Sequence, residues 1–334
     1  MTLVDVAQEA GVSPSTVSRH LRGQHVREAE IIDRAVAALG YSPNLAAQSL
    51  KSGSTLAVGV VVPDVSNPFF AAVVKGIEAA AHDDRYSIFL CNTDESSERE
   101  RAVLAQLSGR IDGLILTPAT EHAEKPLELE RFTAPTVFVD RTLEGATTFD
   151  SVLIDNEGGA RQAAEHLLAL GHRRIAAING PLDTTPGRGR ATGFADAIAD
   201  AGIELPPEYV VAGDFREESA RQATLRLLAL ARPPTAIFTA NNLMTIGALR
   251  ALHEMRARVP EEISLVGFDE LELGELLAPP LTVVARPTIE QGVLAMRLLR
   301  SRIESRDSQP AQRIVLETTL VVRGSSGPPR EDRR

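Results

Sequence analysis

Val4-Asp5-Val6-Ala7-Gln8-Glu9-Ala10-Gly11-Val12-Ser13-Pro14-Ser15-Thr16-Val17-Ser18-Arg19 reads as two short helices and a turn. Leu3, Val6, Ala7 and Ala10 recur at the three- and four-residue spacing of one helix face. Thr2 and Asp5 occupy the two positions of a capping box. Ala10-Gly11-Val12 breaks the period, and glycine suits the turn. Ser13 then caps a second helix with Pro14 at its first position, where a missing N–H costs nothing. Val17 and Leu21 give that helix an inner face, with Ser15, Ser18, Arg19 and Arg22 off it. A third helix is predicted from Glu28 to Leu39, with Ile31, Ile32, Ala35, Val36 and Leu39 inward and Gly40 as its stop.

Beyond this small helical unit, residues 42–55 read as a linker. From Leu56 the texture changes. Short apolar runs (57–62, 87–90, 113–116, 136–139, 152–154, 175–178, 209–211, 235–238 and 263–266) alternate with amphipathic stretches (69–81, 97–107, 157–170, 193–201, 217–230 and 243–255). Strand–helix alternation implies parallel sheets covered by helices. About ten strands exceed one ordinary sheet, so two α/β lobes are expected. The polar, Pro/Arg-rich segment 325–334 is predicted to be disordered. The expected organisation is therefore a helical unit over 1–41, a linker over 42–55, a two-lobed domain over 56–324 and a tail.

The chain has 334 residues, a net charge of −10 and one cysteine. Residues 1–51 carry five basic and five acidic groups, so the excess acid lies in the remainder. That balance argues against a nucleic-acid-coating surface but not against a local site. Arg19, Arg22 and Arg27 cluster with His20 and His25 and no acid between them. Cys91 cannot form an internal disulfide, which fits a reducing compartment, and it reads as a buried thiol at a strand end. The start lacks the marks of a signal peptide, and no run of about 18 uncharged apolar residues suggests a membrane span. A cytoplasmic protein with no membrane association is expected.

By pattern alone the two helices around Gly11 are either a packing unit or a helix-turn-helix whose second helix enters the DNA major groove. Residues 4–19 and Gly40-Tyr41-Ser42-Pro43-Asn44 resemble the N-terminal signature of the lactose-repressor (LacI/GalR) family. The resemblance implies a sequence-specific transcriptional regulator, a repressor, on palindromic operator DNA. It places Pro14, Ser15 and Arg19 at base-reading positions, and arginine's fork suits guanine O6 and N7. Ser13, Thr16 and Ser18 would hold phosphates. Ala47-Gln48-Ser49-Leu50 resembles the family's hinge helix, with Ala47 and Leu50 contacting the minor groove and Leu50 as the wedge that kinks it. Two departures stand out. Arg22 replaces a usual asparagine, and Arg19 to Tyr41 is about three residues short of the family pattern.

Several polar or aromatic residues follow predicted strands, where open α/β sheets bind ligands. Asn67, Phe69, Phe70, Asp140, Arg141, Arg190, Phe215, Asn241 and Asp269 together resemble the ligand set of the family's effector domain and of ribose-type periplasmic binding proteins. The implied fold is a two-lobed, periplasmic-binding-protein-like domain. The implied effector is a small sugar, a pentose such as ribose leading, with a purine or sugar phosphate as alternatives. Arg286 stands where glutamine is common, which either admits an acidic ligand or points away. Thr184 and Pro186 fill two positions that purine-type members use. The chain lacks a terminal leucine heptad, so a homodimer is expected. No cofactor, metal or catalytic residue is expected. Gly187-Arg188-Gly189-Arg190-Ala191-Thr192-Gly193 is one residue off a dinucleotide fingerprint, a weak signal of an enzyme. A solute-binding protein is the other alternative.

Overall fold

The computed structural model describes residues 1–21, 23–41, 54–121, 129, 132–305 and 310–330. It divides into two compact units, Met1–Leu56 and Ala57–Arg334.

In the first unit, α1 (Leu3–Glu9), α2 (Pro14–Leu21) and α3 (Ala29–Leu39) enclose Val6, Ala7, Ala10, Val17, Val26, Ile32 and Ala35. The capping box forms: Asp5 N–H donates to Thr2 Oγ1 at 3.3 Å and Thr2 N–H to Asp5 Oδ2 at 2.7 Å. Thr16 N–H donates to Ser13 Oγ at 3.2 Å, so Ser13 caps α2. Gly11 and Gly40 both take left-handed backbone, at φ 64° and 56°, which a residue with a Cβ adopts reluctantly. Ile31, expected inward, is exposed, whereas Ile32 and Ala35, also expected inward, are buried. The linker segment with Ala47 and Leu50 lies outside the described residues.

The second unit is two α/β lobes. The first lobe's sheet has the order β11-β5-β4-β3-β1-β2, all parallel, from β1 (Ala57–Val62), β2 (Ser87–Asn92), β3 (Gly113–Leu116), β4 (Thr136–Val139), β5 (Asp150–Ile154) and β11 (Arg313–Leu316). Helices α4 (Pro68–Asp83), α5 (Ser97–Leu107) and α10 (Thr288–Glu304) cover it. The second lobe's sheet runs β12-β10-β9-β8-β6-β7, from β6 (Ile175–Asn179), β7 (Val210–Ala212), β8 (Ala236–Thr239), β9 (Ser264–Phe268), β10 (Thr282–Ala285) and β12 (Thr319–Val321). Its edge strand β12 is antiparallel to β10. Helices α6 (Asn156–Ala169), α7 (Thr185–Asp200), α8 (Glu217–Leu228) and α9 (Asn242–Glu254) cover it.

The chain crosses between lobes three times: β5 to α6, β10 to α10, and β11 to β12. Each lobe is thus completed by segments far apart in sequence. The apolar texture predicts β1 to β9 but not β10, β11 and β12; β11 and β12 are half-exposed edge strands without a continuous apolar run. Residues 187–193, the weak near-match to a dinucleotide fingerprint, lie within α7, and the glycines let neighbouring segments close on it. A Cβ on Gly193 would sit 2.1 Å from the Glu157 carbonyl oxygen. Residues 325–330 are not a disordered tail. Ser325 is buried and its Oγ donates to the Leu265 carbonyl at 2.6 Å, while His172 Nε2 lies 2.8 Å from the Gly327 carbonyl. Buried acceptors must find donors, and here the terminal strap and the strand ends satisfy each other. Cys91 is only half-buried, because β2 is an edge strand; partial burial still raises its thiol pKa.

Helices α4 and α10 close on each other through paired glycines. A Cβ on Gly76 would lie 2.1 Å from the Ile289 carbonyl oxygen, and one on Gly292 would lie 2.1 Å from that of Val73. Backbone cannot yield as a side chain can. Gly292→Ala is therefore expected to destabilise the two-lobed unit by roughly 1–3 kcal/mol through overpacking, read as a lower thermal midpoint. An unchanged midpoint would show that the two helices separate freely.

Candidate functional site

On α2 the side chains expected to face DNA are accessible: Ser13, Pro14, Ser15 and Arg19 are exposed, and Thr16 and Ser18 are half-buried. Ser13 Oγ stands 2.8 Å from both Ser15 Oγ and Thr16 Oγ1, a hydroxyl cluster at the helix N-terminus. Val17 points inward and fixes the rotation of α2, so Arg19 must face out. His20 Nε2 lies 2.6 Å from Asp33 Oδ1, tying α2 to α3.

Between the lobes, at the C-terminal ends of the strands, lies a cavity of about 260 Å³. All ten residues predicted from the sequence line it: Asn67, Phe69, Phe70, Asp140 and Arg141 from the first lobe; Arg190, Phe215, Asn241 and Asp269 from the second; and Arg286 from the β10–α10 crossover. Asn67 and Asn241 also cap α4 and α9, accepting from Phe69 N–H at 3.0 Å and Met244 N–H at 2.8 Å. Asn242 Nδ2 donates to Asn67 Oδ1 at 2.8 Å across the cleft.

Three arginines are buried here and each has anionic company. Arg141 donates two hydrogen bonds to Glu95, Nη1 to Oε2 at 2.6 Å and Nη2 to Oε1 at 2.8 Å. Arg190 donates from Nε to Asn156 Oδ1 at 2.8 Å and from Nη1 to the Ala240 carbonyl at 2.6 Å, with Asp269 Oδ2 at 3.9 Å. Its guanidinium lies 3.8 Å from the Phe268 ring centroid. Arg286 donates from Nη1 to Asp140 Oδ1 at 2.6 Å; its Nε lies 2.6 Å from Asp269 Oδ1, though the N–H is not aimed along that contact. Its guanidinium lies 3.5 Å from the Phe69 ring centroid. Among the described residues, Arg141 Nε, Arg190 Nη2, Arg286 Nε and Asp269 Oδ1 are buried without a hydrogen-bond partner.

Burial alone would raise the Asp140 carboxyl, but Arg286, Arg190 and Arg141 outweigh it and hold the group below the ordinary aspartate range. Burial pushes the Arg190 guanidinium down to about 10, against the pull of Asp269. Burial opposes the charge on Arg141 too, yet its bonds to Glu95 prevail and raise it.

Among the cavity residues that sequence reasoning missed, Glu95 is the one that pairs with a predicted arginine. It sits in the loop after β2 and meets Arg141 only in the folded chain. Backbone conformation is a second hidden signal. Of the nine non-glycine residues with positive φ among the described residues, six line the cavity: Asp94, Glu95, Asp140, Asp214, Phe215 and Asp269. Strained backbone of this kind gathers where side chains must be aimed at a site. Outside the cavity, buried Glu121 also spans the lobes, accepting from Thr185 N–H at 2.5 Å and Thr185 Oγ1 at 2.7 Å. Burial raises its carboxyl pKa despite those bonds. Among the described residues, no group of three or more His, Cys, Asp and Glu is placed to hold a metal ion.

Comparison with known proteins interprets both surfaces. The model for bacterial regulatory proteins of the lacI family matches residues 2–44, and the periplasmic binding protein-like domain matches residues 164–326. The ribose operon repressor of Escherichia coli (strain K12) is 37% identical over 333 residues, covering 97% of this chain and 99% of its own. The chain belongs to the LacI family. The HTH-type transcriptional repressor PurR of Aliivibrio fischeri (strain MJ11) is 35% identical, covering 92% of this chain and 93% of its own. Among solved structures, the lac repressor dimer bound to operator and the anti-inducer ONPF has a TM-score of 0.86 at 29% identity, covering 98% of this chain and 99% of that one. A complex of the transcriptional regulator CelR with cellobiose has a TM-score of 0.75 at 35% identity, covering 97% and 99%. This LacI-family member is a DNA-binding transcriptional regulator and not an enzyme. No described helix is long and apolar enough to cross a membrane.

Two outcomes follow for this family member's cleft. Glu95→Gln leaves the Arg141 guanidinium facing a neutral amide in a buried setting. The loss should be about 1–3 kcal/mol of stability, read by urea unfolding. Asp140 is lower in the folded state than its ordinary value of 3.8. Its contribution is therefore complete above that value and disappears as pH falls through the folded one. The stability gap between wild type and Asp140→Asn should narrow on acidification below 3.8, and a gap independent of pH contradicts the pairing.

Proposed function

We propose that this regulator is a cytoplasmic homodimeric repressor of palindromic operators, controlled by a small uncharged sugar held between its lobes. A pentose such as ribose is the leading candidate. The observation that carries this reading is the charge balance of the cleft. The buried cations Arg141, Arg190 and Arg286 are matched by Glu95, Asp140 and Asp269. A phosphate would need a surplus cation, and the inner cavity has none to offer; its other charged lining residues are Asp64, Asp94, Asp214 and Glu217 against Arg216. Hydroxyls, which both donate and accept, suit the unpartnered buried atoms. Phe69, Phe70 and Phe215 supply apolar faces for a sugar ring. The cavity is slightly below the ~300–1,000 Å³ of drug-sized sites, which favours a small ligand.

The purine alternative finds less support. Thr184 Oγ1 donates to the Pro181 carbonyl at 2.8 Å and caps α7 through Gly187 N–H, so it has no donor left for a base edge. Pro186 lines the cavity but has none to give. The similarity to ribose operon repressors of several bacteria points the same way.

Calorimetry with D-ribose tests the ligand. Arg190→Ala and Asp269→Ala should each lose at least ~1–3 kcal/mol of sugar binding while binding operator nearly as wild type does without sugar. If both bind ribose like wild type, the cleft assignment is wrong. If wild type ignores ribose at millimolar concentration but takes a purine or sugar phosphate, the ligand class is wrong. On DNA, Arg19→Ala should cost roughly 1–3 kcal/mol per half-site and relax preference at one base pair. Equal loss on every sequence in gel-shift titrations would make Arg19 a phosphate contact.

A further inference from the structure

Arg286 lies on the crossover from β10 to α10, so its backbone belongs to the hinge rather than to the body of either lobe. Its side chain is nevertheless almost wholly buried, 3% exposed. One guanidinium reaches Asp140 of the first lobe with Nη1 and Asp269 of the second with Nε, each at 2.6 Å. It also covers the face of Phe69 at 3.5 Å. These are two carboxylates and one aromatic face of the site proposed above for a sugar. The arginine thus holds contacts that a ligand spanning the cleft would make.

We propose that Arg286 is a built-in competitor of the effector: it braces the two lobes together without ligand, and a sugar enters only by displacing it. The inference rests on the proposed sugar site but has its own readout. Two features make the brace strong. A guanidinium is planar and carries paired donors, so it engages two carboxylates at once. Without it, Asp140 and Asp269 face each other as like charges in a buried setting, and attraction across the cleft becomes repulsion. Other described links between the lobes, Asn242 to Asn67, Thr185 and Arg188 to Glu121, and the Arg141 guanidinium to the Phe215 ring, place no buried cation between two anions of opposite lobes. The brace also sets specificity. A ligand recovers the cost of expelling the guanidinium only if it satisfies both carboxylates, so polyols with several donors gain access and ligands with one donor do not.

The test uses the full-length chain, small-angle X-ray scattering and calorimetry with D-ribose. Without sugar, Arg286→Gln should have a larger radius of gyration than wild type, and saturating ribose should bring the two to the same value. Wild type should keep one radius with and without ribose. Arg286→Gln should bind ribose at least tenfold more tightly, because the competitor is gone. Arg286→Lys, which keeps the charge but loses the fork, should fall between them in both measurements. Equal sugar-free radii for wild type and Arg286→Gln overturn the brace, as does contraction of wild type on adding ribose. Weaker ribose binding by Arg286→Gln overturns the competitor and makes Arg286 a ligand contact. If no form binds ribose, the pentose reading fails, while the sugar-free radii still decide the brace. Should Arg286→Gln not fold, Arg286→Lys and the wild-type pair of radii decide it.

Discussion

A buried guanidinium must be answered by a carboxylate or the fold does not close over it. In this molecule three such cations sit at the floor of one cleft, and the anions that answer them come from both lobes and from loops distant in sequence. Asp140 follows β4, Asp269 follows β9, Glu95 follows β2, and Arg286 belongs to a crossover. The lobes themselves share little else: three chain crossings and a few polar contacts. Their relative angle is therefore held where the charges meet. A regulator needs such a point, since an effector shifts an equilibrium only through contacts that differ between two states.

The strained backbone at the strand ends belongs to the same economy. Asp140 and Asp269 adopt left-handed φ values of 66° and 73°, conformations that aspartate tolerates better than most residues. Parallel strands deliver their carboxyl ends to one edge, and the sharp turn there swings each side chain back over the cleft. Phe215 and Glu95 adopt φ values of 54° and 55° with less local excuse. Tertiary contacts hold them: Glu95 is locked to Arg141, and the Phe215 ring lies 6.0 Å from the Arg141 guanidinium.

Much of this was readable from the chain. Capping residues with fixed offsets gave the helical unit, since Thr2, Asp5, Ser13, Pro14 and Gly40 each act within a few residues of themselves. Apolar runs revealed the central strands because those strands are buried on both faces. Nine of the ten cleft residues were recognisable as a set by family resemblance, with Arg286 marked as a departure from it, and not by local physics. What stayed hidden depends on long-range pairing. Nothing near Glu95 announces a partner 46 residues away. Strands β11 and β12 are half-exposed sheet edges and carry no continuous apolar run. The glycine-rich start of α7 looks like a loop until Glu157 is packed against it. The strap 325–330 has a disordered composition and is held by Leu265, Thr282 and His172, all contributed from elsewhere.

The three crossovers also impose an order of events on the ribosome. The helical unit has every residue of its core by Tyr41, so it can close before any strand has been made. Neither lobe enjoys that independence. The first lobe waits for α10 and β11, and the second for β12 and the strap, all within the final stretch of the chain. During most of synthesis the nascent protein thus presents a finished reader of DNA tethered to two unfinished sheets with open edges. Unpaired edges invite wrong partners.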